Sequence, residues 1–408
     1  MNLNEHIAKL ASPALPGIHL NLARMEALLA ALGHPERDLP PVIHLAGTNG
    51  KGSTLSYLQR IYTQAGYRVH SYTSPHLVRY NERILLAGKE VTDHEFAAAL
   101  DRVIALKKDH PVTEFEGLTA AAFLCFCEVP ADLLLLETGM GGRLDATNTV
   151  PEKMATILTT ISYDHQEFLG DTLVKIAGEK AAIMRPGVPC ISAPQQPEAA
   201  AVIRDYAEKI GALLHWATPE TLAHAPGLQG AHQRINAAVA AKTVAVLSSR
   251  FPVSEAQMKE GLAQAIWPAR LQTLTHGALV TAWGARGAVV LDGGHNEGAA
   301  EALAEWISAQ DRPVTMLLGL MARKDAATFL AWVAPVTARM IAVPIAHAPC
   351  HTPEALAAAA QHAGICEVIM AGLLQDAAGK IAQLPDAPAH LLIAGSLYLA
   401  GEVLKTHG

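Results

Sequence analysis

Along this chain, short unbroken apolar runs alternate with longer stretches whose apolar residues recur at helical spacing. The runs predict buried strands, and the stretches predict helices laid over them. Residues 5–33 read as helix broken at Pro13, Pro16 and Gly17, with a further helical segment over 17–25. Strands are predicted over 42–46, 68–72, 131–137, 154–160 and 188–192. Helices are predicted from Ser53-Thr54 onward, over 93–107, from Gly117 to near Glu128, from about Asp171, and over 197–210, 231–247 and 254–265. Trp267-Pro268 ends that series and marks a boundary, giving domains 1–266 and 271–408. Beyond it, strand patterns (288–292, 314–318, 340–343, 367–370, 391–394) alternate with helix patterns (298–308, 326–333, 353–362). Strictly alternating strand and helix implies parallel sheets with helices on their faces. The expected fold class is therefore α/β: a parallel-sheet domain followed by a smaller Rossmann-like α/β domain, where the A-G-T-N-G-K-G-S-T loop after the first strand would make the first a P-loop-containing ATPase domain.

Composition narrows the function. At 408 residues the chain exceeds what one core usually supports. Half its residues are apolar and 17% are charged, which suits a folded enzyme rather than a disordered chain. The net charge of −7 argues against nucleic acid or an anionic membrane as partner. No run is long and apolar enough to span a bilayer, and the first residues lack a signal-peptide pattern. Five cysteines without framework spacing read as reduced thiols, and a cytoplasmic monomer is expected.

The candidate chemistry starts between the first strand and its helix, in A-G-T-N-G-K-G-S-T. Gly47, Thr48, Asn49, Gly50, Lys51, Gly52 and Ser53 form a glycine loop with one lysine and a hydroxyl. Such a loop brings backbone N–H groups and a helix N-terminus to a phosphate, and Lys51 adds a full charge. The spacing differs from the usual G-x-x-x-x-G-K-[ST], because Gly52 separates Lys51 from the hydroxyls.

Three further strand ends carry polar groups. Ser74 follows the 68–72 strand, expected to lie beside the phosphate-loop strand, and its hydroxyl suits Mg²⁺. Glu137 ends a buried strand, a usual place for a Mg²⁺-organising acid. His165 is read as ending a strand in register with Glu137. Alone, Lys180 reads as a solvated helix residue, Cys125 and Cys127 as core thiols, and His347-x-x-Cys350-His351 as a loop rather than a metal cluster.

The H-L-A-G-T-N-G-K-G-S-T loop, Y-T-S-P-H-L-V-R-Y-N-E-R-I, L-E-T-G-M-G-G-R-L-D-A-T-N, S-Y-D-H, G-E-K-A-A-I, H-Q-R-I-N-A-A, W-P-A-R-L-Q, D-G-G-H-N and the R-K-D segment follow one another in this order along the chain. In that order the chain resembles the folylpolyglutamate synthases of the Mur ligase superfamily, and among them the bacterial bifunctional dihydrofolate synthase/folylpolyglutamate synthases. The resemblance implies ATP-dependent ligation of L-glutamate to dihydropteroate and to folates through an acyl phosphate. A ligase that only extends polyglutamate tails, and more remotely another Mur-type amide ligase, are the alternatives.

Carried over by position, the resemblance puts the ATP phosphates on Gly47–Ser53 and the nucleotide on Asn236, Arg270, Asp292 and His295, between the domains. It puts two Mg²⁺ ions on Ser74, Glu137 and His165, and makes Lys180 a carbamylation site. It puts the pterin on Ile18, His19, Leu20, Asn21, Thr113, Glu114, Phe115, Glu116, Leu144, Asp145 and Ala146, with Phe115 stacked on the ring. Glu297 and Ala182 stand where the family usually has proline and glycine.

Overall fold

The computed structural model describes residues 3–10 and 20–406. The chain divides into two compact units, Met1–Gly227 with Arg234–Ala265, and Leu228–Gln233 with Ile266–Gly408.

The first unit is built on one sheet of β1 (Val42–Ala46), β2 (Val69–Tyr72), β3 (Ile84–Leu86), β4 (Lys89–Glu90), β5 (Leu133–Glu137), β6 (Ala155–Leu158), β7 (Pro189–Ser192) and β8 (Leu213–Trp216). Its order is β4-β3-β2-β5-β1-β6-β7-β8, parallel from β2 to β8 with an antiparallel β3–β4 hairpin at one edge. β1 and β5 are buried along their whole length, as strands covered on both faces must be.

Ten helices belong to the elements from the N-terminus to residue 263: α1 (Leu3–Leu10), α2 (Leu22–Ala31), α3 (Lys51–Gln64), α4 (Asp93–Leu106), α5 (Glu114–Glu128), α6 (Gln166–Leu169), α7 (Leu173–Ala181), α8 (Pro197–Ile210), α9 (His232–Val246) and α10 (Glu255–Ala263). On one face, Ile7, Met25, Leu28, Phe96, Leu100 and Phe123 close over Leu134 and Leu136. Another core joins Ala46 and Leu158 to Ile176, Ile183 and Ile203 of the α7–α8 layer. Capping boxes at Thr92/Glu95 and Thr113/Glu116 set where α4 and α5 begin.

The second unit's sheet contains β9 (Gln272–Leu274), β10 (Val289–Leu291), β11 (Val314–Leu318), β12 (Arg339–Ala342), β13 (Val368–Met370) and β14 (His390–Ala394), in the order β13-β12-β11-β14-β10-β9. Only β9 is antiparallel. Around it lie α11 (Ala278–Trp283), α12 (Glu297–Ser308), α13 (Ala326–Val333), α14 (Pro353–His362), α15 (Leu374–Ala382) and α16 (Leu397–Lys405). Leu303, Met316, Leu318, Phe329 and Leu392 centre its core. The fold is thus α/β in both units, with parallel-dominated sheets.

Several expectations change. β2 is not beside β1, because β5 lies between them. Apolar pattern identifies a strand but not its place in the sheet, which the crossovers decide. α3 starts at Lys51 rather than Ser53, and Glu114–Glu116 form the first turn of α5 rather than preceding it. Cys125 is buried but Cys127 is exposed, since residues two apart face different sides of a helix. β3, β4, β8, β9 and α6 are too short to show a period, and α11, α15 and α16 add to the helices the pattern predicts. In the 347–351 loop, Cys350 Sγ bonds Ile345 and His351 Nε2 lies 2.8 Å from the Lys324 carbonyl. Among the described residues, no helix is long and apolar enough to cross a membrane.

Candidate active site

The phosphate loop is held from behind. The amides of Thr48 and Asn49 both donate to the Thr160 carbonyl, at 2.9 and 3.1 Å. Thr48 Oγ1 donates to the Ser162 carbonyl (3.0 Å), and Asn49 Nδ2 donates to Ser162 Oγ (3.1 Å). These bonds tie the loop to the segment after β6. Gly50 takes φ 89°, and a Cβ there would stand 2.2 Å from Asn236 Oδ1, so only glycine allows that close approach. The first intrahelical bond of α3 runs from Thr54 N to Gly50 O at 2.9 Å. The N–H groups of Lys51, Gly52 and Ser53 therefore occupy the first turn, where a helix favours an anion.

Two lysines meet on one carbonyl. Lys51 Nζ donates to Gly47 O at 3.1 Å and Thr48 O at 3.4 Å, and Lys180 Nζ donates to Gly47 O at 2.9 Å. Lys51 Nζ also lies 3.8 Å from Glu137 Oε1, and Glu137 is buried at the end of β5. The expectation of a solvated Lys180 is wrong: the side chain is 4% exposed. Burial, and next the Lys51 charge, push its amine down to about 7. Near neutrality such an amine is divided about evenly between its charged and uncharged forms, and the uncharged form is a nucleophile.

Ser74 follows β2, whose Tyr72 pairs with Leu136, so it emerges at the same sheet edge as Glu137. His165 does not end a strand. It lies seven residues past β6, at φ 50°, as the N-cap of α6. Its backbone N–H donates to Asp164 Oδ1 at 2.8 Å, and its Nε2 is 3.8 Å from Asp164 Oδ2. Among the described residues, no three His, Cys, Asp or Glu side chains form a metal site alone. Mg²⁺ keeps waters and takes one or two carboxylates with substrate phosphates. The donors here are the right kind: a buried carboxylate, a hydroxyl, and a second carboxylate in Asp164.

The proposed pterin residues divide. Ile18 and His19 lie outside the described residues. Leu20 is half-buried, and Asn21 is exposed and caps α2 through a 2.7 Å bond to Ala23 N. Thr113 and Glu116 cap α5, and Glu116 pairs with Arg24 at 2.9 Å. Glu114 accepts from Tyr80 Oη at 3.1 Å. The Phe115 ring lies over Gly139, where a Cβ would stand 2.4 Å from its Cζ. Asp145 is consumed by its own loop, accepting from Met140 N (2.8 Å) and Thr147 N (3.0 Å), and burial raises its carboxyl. Leu144 is half-buried and Ala146 buried beside it.

In the second unit, Asp292 accepts from Leu271 N at 2.9 Å and Gly294 N at 2.7 Å. Ala269 and Leu271, on either side of Arg270, hold φ of 55° and 45°. That strained turn aims Arg270, whose Nη1 donates to Ala269 O at 3.1 Å. His295 Nδ1 is 2.8 Å from the Gly293 carbonyl. Neither departure from the family pattern disturbs its loop. Glu297 opens α12, where an acid suits the helix dipole, and Ala182 ends α7 at φ −68°, which needs no glycine.

Two contributors escaped the sequence reading. Asp164 sat unremarked inside S-Y-D-H, next to His165. Gln195 accepts from Ile161 N and donates to Thr159 O, both at 2.9 Å, bracing the segment that holds the phosphate loop. Nothing in its neighbourhood in the chain signals that role.

Comparison with known proteins agrees with this geometry. Residues 279–406 match the family described as dihydrofolate synthetase, C-terminal domain. The chain is 38% identical over 321 residues to the dihydrofolate synthase/folylpolyglutamate synthase of Bacillus subtilis, covering 71% of this chain and 72% of that one. It superposes on Escherichia coli FolC in complex with DHPP and ADP at TM-score 0.87 and 30% identity, covering 99% of this chain and 97% of that one. A bifunctional folylpolyglutamate synthase/dihydrofolate synthase with Mn, AMPPNP and L-glutamate bound matches at TM-score 0.85 and 27% identity, covering 99% of this chain and 98% of that one.

Proposed function

The chain belongs to the dihydrofolate synthase/folylpolyglutamate synthase family, and from that premise we propose that the C-terminal edge of its first sheet activates a pterin-bearing acid for attack by glutamate. The enzyme is an ATP-dependent carboxylate–amine ligase. It joins L-glutamate to dihydropteroate, giving dihydrofolate, and to tetrahydrofolate mono- and polyglutamates.

The observation that carries the assignment of roles is the convergence of Lys51, Lys180 and the Glu137 carboxylate around the phosphate loop. The acid's carboxylate attacks the γ-phosphorus, ADP leaves, and an acyl phosphate remains. The glutamate amine then adds to the acyl carbon. The tetrahedral intermediate expels phosphate and the nitrogen gives up a proton. In this reading Gly47–Ser53 hold the phosphates, and Lys51 leaves the Gly47 carbonyl to neutralise the transferring group. Glu137, Ser74 and His165 hold the divalent cation, which supplies charge neutralisation at phosphate oxygens. Asn236, Arg270, Asp292 and His295 serve the nucleotide; Phe115, Leu144 and Ala146 serve the pterin. Asp145 acts by shaping its loop.

Lys180 is the carbamylation site in this scheme. Its uncharged amine bonds to the carbon of CO₂, one C=O electron pair moves to oxygen, and the nitrogen loses a proton. The buried cation-to-be becomes an anion beside Lys51. Isotope-labelled bicarbonate should give a carbamate carbon signal that Lys180→Ala lacks; a signal in both proteins would remove the assignment. The enzyme acts as a cytoplasmic monomer.

The direct test supplies protein, ATP, Mg²⁺ and glutamate with dihydropteroate or with tetrahydrofolate. ADP release and glutamate-extended product are expected with both. Product with tetrahydrofolate alone would reduce the enzyme to a tail-extending synthase.

A further inference from the structure

A buried lysine and a half-buried arginine converge on one side-chain amide, and the proposed mechanism uses neither. Lys153 is 7% exposed. Its Nζ donates to Asn148 Oδ1 at 2.6 Å and to the Ile183 carbonyl at 3.0 Å. Arg185 Nη2 reaches the same Asn148, at 3.0 Å to Oδ1 and 3.1 Å to the backbone oxygen. Arg185 Nη1 meanwhile donates to the carbonyls of Ala182, Ile183 and Met184, at 3.0–3.3 Å, just past the end of α7. Asn148 Nδ2 completes the knot by donating to Arg143 O at 3.1 Å.

The two segments joined here are the ones that matter. One is the loop of residues 139–149 after Glu137; the other is the C-terminal turn of α7, which carries Lys180. They touch backbone to backbone: Arg143 N donates to Glu179 O at 2.8 Å, and a Cβ on Gly142 would stand 2.7 Å from that oxygen and 3.1 Å from Lys180 Cα. The loop's other side is fixed to β1, where His44 Nε2 is 2.8 Å from Thr147 Oγ1. Since Thr147 Oγ1 donates to Asp145, the histidine is the donor, and among the described residues its Nδ1 has no partner.

Packing alone does not account for an amine at Lys153. An apolar side chain of the same length would fill the space without the cost of desolvating a nitrogen. Burial, and then Arg185, push the Lys153 amine well below the usual lysine range. The uncharged amine has two N–H groups, and both have acceptors.

We propose that Lys153, acting with Arg185 through Asn148, is a positioning residue for the ligation: it sets how the loop of residues 139–149 seats on α7, and so where the Lys180 nitrogen and the pterin-side residues Leu144 and Ala146 stand. This rests on the role assigned above to those residues. Lys153 bonds Asn148 and the Ile183 carbonyl directly and reaches the phosphate loop only through Lys180, so its loss falls first on the pterin side.

The test is a double-mutant cycle of Lys153→Met and Asn148→Ala in the full-length enzyme, assayed well below each variant's Tm. Wild type must first ligate glutamate to dihydropteroate; if it does not, the functional reading fails, not the clamp. The expected result is a KM for dihydropteroate raised about tenfold in either variant, with KM for ATP within about twofold. The double variant should be no worse than the worse single one, because both remove one linkage. If Lys153→Met does not fold, Asn148→Ala alone carries the KM comparison. A lowered Tm with both KM values unchanged, or equal rises for dihydropteroate and ATP, would overturn the clamp.

Discussion

The two sheet edges of this chain handle charge in different ways. At the first, Lys51, Lys180 and Glu137 are brought out of water within a few ångströms of one another. At the second, polar groups bind their own backbone: Asp292 takes two amides and His295 faces a carbonyl. Buried charges that answer one another can respond to a phosphate and to a developing intermediate. A carboxylate committed to two amides cannot; it can only hold Arg270 in a strained turn. In the proposed function the first edge therefore serves the chemistry and the second the placement of the nucleotide.

The sharpest way to break that contrast is Lys51→Ala. Losing a phosphate-neutralising charge inside the site should lower kcat by about a thousandfold or more. Near-normal turnover would place the chemistry elsewhere.

Next comes the pH dependence of folding. The Lys180 amine sits at about 7 when folded against 10.5 in the open chain. Between those values the unfolded chain binds more protons, so this group's penalty is full below pH 7 and fades as pH rises toward 10.5. In bicarbonate-free buffer, Lys180→Met should be the more stable protein near pH 7, by on the order of a few kcal/mol. Denaturant titrations should show the gap narrowing as pH rises. A gap that stays constant with pH would mean that the lysine carries its charge when folded.

The smallest effect belongs to the second edge. In Asp292→Asn one oxygen remains for two amides, so one bond is lost and the turn around Arg270 relaxes. A single unmet backbone donor is worth about 1–3 kcal/mol. KM for ATP should rise about tenfold while kcat changes by less than about threefold. A collapse of kcat with KM intact would make Asp292 part of the chemistry and erase the distinction.

Much of this was legible along the chain. Elements with a clear apolar run or stripe announce themselves: α13, α14 and β11 have the limits their apolar patterns predict, because those patterns report which positions are buried. The glycine loop, Glu137 and the motif residues were legible for a related reason, since a phosphate demands local backbone geometry that only certain residues permit. Short edge elements such as β4 and β9 were not, because two or three residues carry no period.

What the sequence determined by itself is therefore local: which segments are strand or helix, where a phosphate can be cradled, and which family's motifs lie in order. What only the tertiary structure decided is adjacency. That β5 comes between β2 and β1, that Lys180 is buried against the Gly47 carbonyl, and that Lys153 and Arg185 share one amide are pairings of residues far apart in the chain. Such pairings set desolvation and charge–charge distance, and these bring an ordinary lysine's amine down to about 7. Neither quantity is a property of a residue or its neighbours in sequence; both exist only once the sheet has closed around them.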